Sequence, residues 1–123
     1  MLKTILYIAI GGAIGSVLRF LTTLLVSKYW SNNFPLATFI ANVIGCFLIG
    51  LFVGYLTKNQ LQESTLKWFL VTGLCGGFTT FSAFGMENYD LFQNNNSLLA
   101  FGYIALSISI GLFAVWFGLF VSK

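Results

Sequence analysis

Four long runs of apolar residues constrain the fold of this chain more than any other feature. They extend approximately over residues 5–26, 36–56, 68–92 and 98–121. An α-helix needs about 20 mostly apolar residues to cross the hydrocarbon core of a bilayer. Transmembrane β-strands would instead show segments of about ten residues with alternating polarity. The sequence therefore predicts an all-α integral membrane protein with four transmembrane helices.

The composition leaves no material for a second, water-soluble domain. Only 7% of the 123 residues are charged and 58% are hydrophobic, whereas soluble domains carry about 25% charged residues. We therefore expect residues 1–123 to form a single four-helix transmembrane domain in a lipid bilayer, with no nucleic-acid partner. The expected location is the cell inner (plasma) membrane, as a multi-pass protein.

The chain lacks the residue groupings on which catalysis and transition-metal binding depend. It has no His, and its two cysteines, Cys46 and Cys75, fall within different spans. Intramembrane thiols are more often packing residues than a disulfide or a metal pair. The sequence therefore predicts that the protein is not an enzyme and has no Cys/His metal centre.

The lysines are distributed unequally between the two ends of the predicted bundle. With four spans, both termini and the connection between spans two and three lie on one side, with Lys3, Lys58, Lys67 and Lys123. The other side has Lys28, and also Arg19 if its side chain snorkels outward. The excess of positive charge favours a cytoplasmic location for the termini. The bias is modest because so few charges contribute to it.

Small residues recur at helical spacing within the spans. Gly11 and Gly15 lie four residues apart in span one, as do Gly50 and Gly54 in span two. Small residues let helix backbones approach closely in lipid, where packing drives helix association. These positions predict tight helix packing.

The third span contains the most unusual segment, Gly76-Gly77 followed by Thr79-Thr80. Glycine tolerates non-helical backbone angles, and threonine hydroxyls can pair backbone groups that a helix break leaves free. We therefore predict a break in the third helix, whose freed carbonyl groups could bind a small cation such as Na⁺. A kinked helix without a binding role remains the alternative.

Several polar side chains fall within the apolar runs, where they are costly and usually functional. Asn42 lies deep in span two, and its amide group can donate two hydrogen bonds, although an Asn can also simply join two helices. Phe81 and Phe84 share a helix face, and ring edges can stabilise an anion; lipid contact is the alternative. The other polar residues of this kind are Arg19, Glu87, Tyr103 and Ser107.

Three motifs resemble those of a known family. They are GGAIGSVLRF at residues 11–20, FPLATFIANVIG at 34–45 and GLCGGFTTFSAF at 73–84. In order, spacing and four-span layout, the chain is similar to the bacterial Fluc (CrcB) fluoride channels. The resemblance covers essentially the whole chain.

The resemblance implies an antiparallel, dual-topology homodimer that conducts fluoride passively out of the cytoplasm through two pathways and so lowers fluoride toxicity. It implies a structural, non-transported Na⁺ held by the main-chain carbonyls of Gly76 and Thr79 from both copies. The expected pathway residues, which include a vestibule arginine, are Phe81, Phe84, Asn42, Tyr103, Ser107, Thr80, Arg19 and Glu87.

Two departures and two alternatives remain open. The lysine bias is larger than an ideal dual-topology protein would show, so the partner could be a separately encoded paralogue. The resemblance also implies a track of polar groups that includes Glu87 and Thr and Ser hydroxyls. Ala83 and Gly111 stand where the family commonly has small hydroxyl residues, which predicts that this track is shorter here. A proton-coupled exporter of the small multidrug-resistance type would use Glu87 or Asp90. A non-transporting scaffold subunit would conduct nothing.

Overall fold

The computed structural model describes all residues, 1–123, and consists of four long helical spans joined by short connections. Each span is long and apolar enough to cross a membrane, which confirms the predicted all-α architecture. The spans are Leu2–Tyr29, Leu36–Lys58, Thr65–Gln93 and Ser97–Val121. The first, second and fourth are the single helices α1 (Leu2–Tyr29), α2 (Leu36–Lys58) and α6 (Ser97–Val121).

The third span is interrupted, as predicted, but the interruption lies slightly later than the glycines suggested. Its first half consists of α3 (Thr65–Lys67), a π-helical segment (Trp68–Cys75) and α4 (Gly76–Phe78), and its second half is α5 (Phe81–Gln93). Between the halves, Thr79 (φ −89°, ψ 159°) and Thr80 (φ −151°, ψ 120°) are extended.

The expectation that Gly76 and Gly77 form part of the break is therefore wrong, since both residues are helical. Gly77 serves helix packing instead. A Cβ atom on Gly77 would lie 2.6 Å from the carbonyl oxygen of Gly12, and one on Gly11 would lie 3.0 Å from the amide nitrogen of Leu74. Because these contacts are with backbone, α1 and the first half of the third span can approach closely only through glycine.

The second close pair is formed by α2 and α6. A Cβ atom on Gly118 would lie 2.8 Å from the amide nitrogen of Leu51, and one on Gly50 would lie 3.1 Å from that of Leu119. Helix α5 packs chiefly against α6. The bundle therefore contains two glycine-mediated helix pairs, and α5 diverges from the first pair at the break.

Candidate functional site

The side chain of Asn42 hydrogen-bonds the backbone at the break in the third span. Its Oδ1 accepts a hydrogen bond from the N–H of Thr80 at 2.8 Å, and its Nδ2 donates to the carbonyl oxygen of Thr80 at 3.2 Å. In a continuous helix the same N–H would donate to the carbonyl of Gly76. Asn42 thus satisfies both backbone groups of one extended residue, and one of its two amide hydrogens remains available.

The hydroxyl group of Thr80 then starts helix α5. Its Oγ1 accepts from the N–H of Ala83 at 3.1 Å and lies 3.2 Å from Oγ of Ser82. This is the usual role of Thr at a helix N-cap. The N–H of Ala83 would otherwise donate to the carbonyl of Thr79, so the carbonyls of Gly76 and Thr79 both lose their helical donors.

A groove of about 380 Å³ opens beside the break. It lies between α2, the third span and α6, and most of its wall is apolar. It brings together seven of the residues singled out in the sequence, namely Asn42, Gly76, Thr79, Thr80, Phe81, Phe84 and Ser107. The side chain of Phe81 is 83% exposed, so at membrane depth the groove is open on one side.

Ser107 presents an unpaired hydroxyl group in the wall of this groove. Its Oγ is buried and has no hydrogen-bond partner. A buried hydroxyl without a partner is costly, and in a membrane span such groups usually mark a functional site. Together with the free amide hydrogen of Asn42, it gives the groove hydrogen-bond donors that carry no charge.

Tyr103 and Glu87 lie next to the groove but do not line it. Tyr103 is fully buried, with 0% exposure, and its ring centroid is 5.0 Å from that of Phe84. Its hydroxyl donates to Oε1 of Glu87 at 2.9 Å, while Oγ1 of Thr38 donates to Oε2 at 2.6 Å. Both carboxylate oxygens of Glu87 are therefore engaged, and Tyr103 fixes the position of Phe84.

Arg19 does not reach the groove. Its Nε donates to the carbonyl oxygen of Gly77 at 3.3 Å. Arg19 therefore supports the backbone just before the break, on the α1 side of the third span, and satisfies a carbonyl that would otherwise lack a partner. Because guanidinium groups hydrogen-bond backbone carbonyls strongly, this contact favours the interrupted conformation.

Two residues near the site carry roles that the sequence reasoning missed. Thr38 holds Glu87, and it lies one helical turn before Asn42 on the same face of α2, so this spacing could have indicated it. Cys46 lines the groove, and a Cβ atom on Gly111 would lie 3.5 Å from its Sγ. The thiol of Cys46 adds a further weak hydrogen-bond donor to the wall of the groove.

No group of three or more His, Cys, Asp or Glu residues is placed to hold a metal ion. A hard cation at this site would depend on main-chain oxygens instead, which are ligands that such cations accept. The carbonyls of Gly76 and Thr79 fit this donor type because the donors that a helix would supply to them bond to Asn42 and Thr80.

Known proteins are similar to this chain along nearly its whole length. A family model described as "CrcB-like protein, Camphor Resistance (CrcB)" matches residues 6–119. The chain is 58% identical over 122 residues to the fluoride-specific ion channel FluC of Flavobacterium psychrophilum, covering 99% of this chain and 98% of the relative. It is 45% identical over 123 residues to the FluC of Azobacteroides pseudotrichonymphae, covering 100% and 98%. The FluC of Gloeothece citriformis is 41% identical over 119 residues, covering 97% and 96%.

Proposed function

The chain belongs to the CrcB-like protein family, and from this membership we propose that it is a passive, fluoride-selective channel that exports fluoride from the cytoplasm and lowers fluoride toxicity. Its relatives are named as fluoride-specific ion channels, and the protein is not an enzyme. The groove beside the interrupted third span is the structural observation that supports the proposal. We place the protein in the cell inner membrane.

The donors around the groove suit a small, strongly hydrated anion. A conducting site must replace the water around the ion without holding it too tightly. The free amide hydrogen of Asn42, the unpaired hydroxyl of Ser107 and the hydroxyl of Thr80 are uncharged donors, and the ring edges of Phe81 and Phe84 carry partial positive charge. No Lys or Arg lines the groove to trap the ion.

Glu87, Tyr103 and Arg19 take positioning roles in this proposal. The Thr38–Glu87–Tyr103 cluster holds the ring of Phe84, whose centroid is 5.8 Å from that of Phe81. Arg19 attracts anions towards the protein through its charge while it holds the carbonyl of Gly77. The expected vestibule role of Arg19 is thus combined with a structural one.

One copy of the chain does not enclose a pathway, because the groove is open on the side of Phe81. We therefore propose that a second copy, antiparallel in a dual-topology homodimer, covers it. The dimer would contain two equivalent pathways. The excess of lysines at one end keeps a separately encoded paralogue as the other partner.

We further propose that the carbonyls of Gly76 and Thr79 from both copies hold a structural Na⁺ between them. When bound, the ion would neutralise the partial negative charge of these oxygens and join the two copies. Replacing Na⁺ with a larger cation should lower dimer stability and fluoride flux. If neither dimer stability nor fluoride flux depends on the cation, these carbonyls do not form a sodium site.

Flux from liposomes tests the main proposal. Purified protein in liposomes should release trapped fluoride down its gradient and should retain chloride. Equal chloride flux would contradict selectivity, and the absence of any flux would favour a scaffold subunit. Transport that requires a pH gradient and disappears in Glu87→Gln would favour a proton-coupled exporter.

A further inference from the structure

A second groove, of about 580 Å³, lies at the end of the bundle where α2 and α6 finish. Its volume falls within the roughly 300–1,000 Å³ range of small-molecule sites. Residues of α2, the π-helical segment and the C-terminus of α6 form its wall. They are Leu51, Phe52, Tyr55, Lys58, Asn59, Leu70 and Ser122.

The polarity of this groove changes along α2. Leu51 and Phe52 lie within the span, and Leu70 faces the groove from the third span. Lys58 is the last residue of α2, at the depth where a spanning helix meets water and lipid headgroups. A ligand that fits must therefore be apolar along the span and polar at the helix end.

The charge at the polar end is positive and is not neutralised within the groove. None of the lining residues is acidic. Two other lysines at the same end lie over aromatic rings, because Nζ of Lys67 is 5.0 Å from the ring centroid of Trp68 and Nζ of Lys3 is 6.0 Å from that of Tyr7. Lys58 has no such ring partner, so its exposed ammonium group is available to an anion.

We propose that this groove binds an anionic phospholipid, with the phosphate at Lys58 and an acyl chain along Leu51, Phe52 and Leu70. Basic pockets between transmembrane helices on one side of a membrane bind anionic headgroups. The apolar wall supplies the contact that a free phosphate ion would lack. The proposal concerns a different groove from the fluoride pathway and does not depend on it.

Lipid titration of the purified full-length protein tests the proposal. Native mass spectrometry should show phosphatidylglycerol binding more tightly than phosphatidylcholine. Lys58→Gln should weaken phosphatidylglycerol binding by about fivefold, the effect of one lysine near a lipid surface, and should leave phosphatidylcholine binding unchanged. Lys3→Gln removes the same charge at the same end but outside the groove, so it should bind like the wild type.

Equal binding by the Lys58→Gln and Lys3→Gln variants would overturn the proposal, as would inorganic phosphate that competes fully with the lipid. Leu70→Trp would fill the apolar part of the groove and should reduce the binding of phosphatidylglycerol. If Leu70→Trp instead dissociates a dimer and leaves lipid binding intact, the groove is an interface between copies, and the proposal is wrong.

Discussion

The two sides of the third span are built in opposite ways. Towards α1, Gly73 and Gly77 bring backbone against backbone and leave no space for a methyl group. Towards the groove, a Cβ atom on Gly76 would meet a single atom within 4 Å, at 3.9 Å, and Ser107 keeps a hydroxyl group without a partner. The comparison indicates that close packing fixes one side of the helix, the tight side, whereas the other, open side leaves space beside the break.

Substitution on the tight side should have the largest effect. A Cβ atom on Gly15 would meet the carbonyl oxygen of Leu74 and lie 2.8 Å from the amide nitrogen of Phe78. Backbone atoms cannot move aside as a side chain can, so Gly15→Leu should cost about 3 kcal/mol or more. Yield and size-exclusion profile measure the loss.

Gly102→Leu is the matched control, since nothing lies within 4 Å of a Cβ atom at Gly102. This variant should purify as the wild type does. If the two variants behave alike, the glycines of α1 do not determine the packing, and the contrast between the two sides fails.

Removal of the Asn42 side chain, which hydrogen-bonds the backbone of Thr80, should have the next largest effect. Asn42→Ala leaves the N–H and carbonyl of Thr80 unpaired, at about 1–3 kcal/mol for each group. If about 1.4 kcal/mol of this loss falls on the interrupted conformation, its ratio to other conformations falls about tenfold, and we expect fluoride efflux to fall as well. Asn94→Ala removes an exposed amide and should leave both efflux and thermal stability unchanged.

Substitution within the Thr38–Glu87–Tyr103 cluster should have a weaker effect. Glu87→Gln replaces one accepting oxygen with a donor, so either Thr38 or Tyr103 loses its acceptor, at about 1–3 kcal/mol. We expect a lower midpoint of thermal unfolding and a partial loss of efflux through the displaced ring of Phe84. Asp90→Asn changes an exposed carboxylate of the same helix and should leave the thermal midpoint and efflux unchanged. If both variants lower them equally, the loss of a negative charge explains the effect and the hydrogen bonds of the cluster do not.

Ser107→Ala should affect stability least, because Oγ of Ser107 makes no hydrogen bond. Because a buried hydroxyl without a partner is costly, the thermal midpoint of this variant should equal or exceed that of the wild type and should not fall. Fluoride efflux should nevertheless fall, since one donor of the groove is lost. Unchanged efflux would show that the hydroxyl group of Ser107 does not contribute to conduction.

The sequence predicted the four helices well because the length and apolarity of a span follow directly from the thickness of a bilayer. It also predicted an interrupted third helix within the Gly76–Thr80 segment, but it placed the glycines in the break. Glycine permits both a break and close packing, and only the contact with α1 shows that Gly77 is used for packing. The extended residues are the β-branched Thr79 and Thr80.

The hydrogen-bond partners of individual polar groups could not be predicted from the sequence. Asn42 was singled out as a donor, whereas the structure engages its oxygen and one hydrogen with Thr80. Arg19 donates to Gly77, and Glu87 accepts from Thr38. These pairings join spans far apart in the chain, so their geometry depends on helix packing that one sequence does not specify.

Phenylalanine substitution in the groove tests most directly whether the open side conducts. Phe81→Ile and Phe84→Ile should each sharply reduce fluoride efflux from liposomes while the oligomeric state stays that of the wild type. Phe113→Ile changes an exposed ring of α6 that does not line the groove, and its efflux should match the wild type. Wild-type efflux from both groove variants would contradict the account.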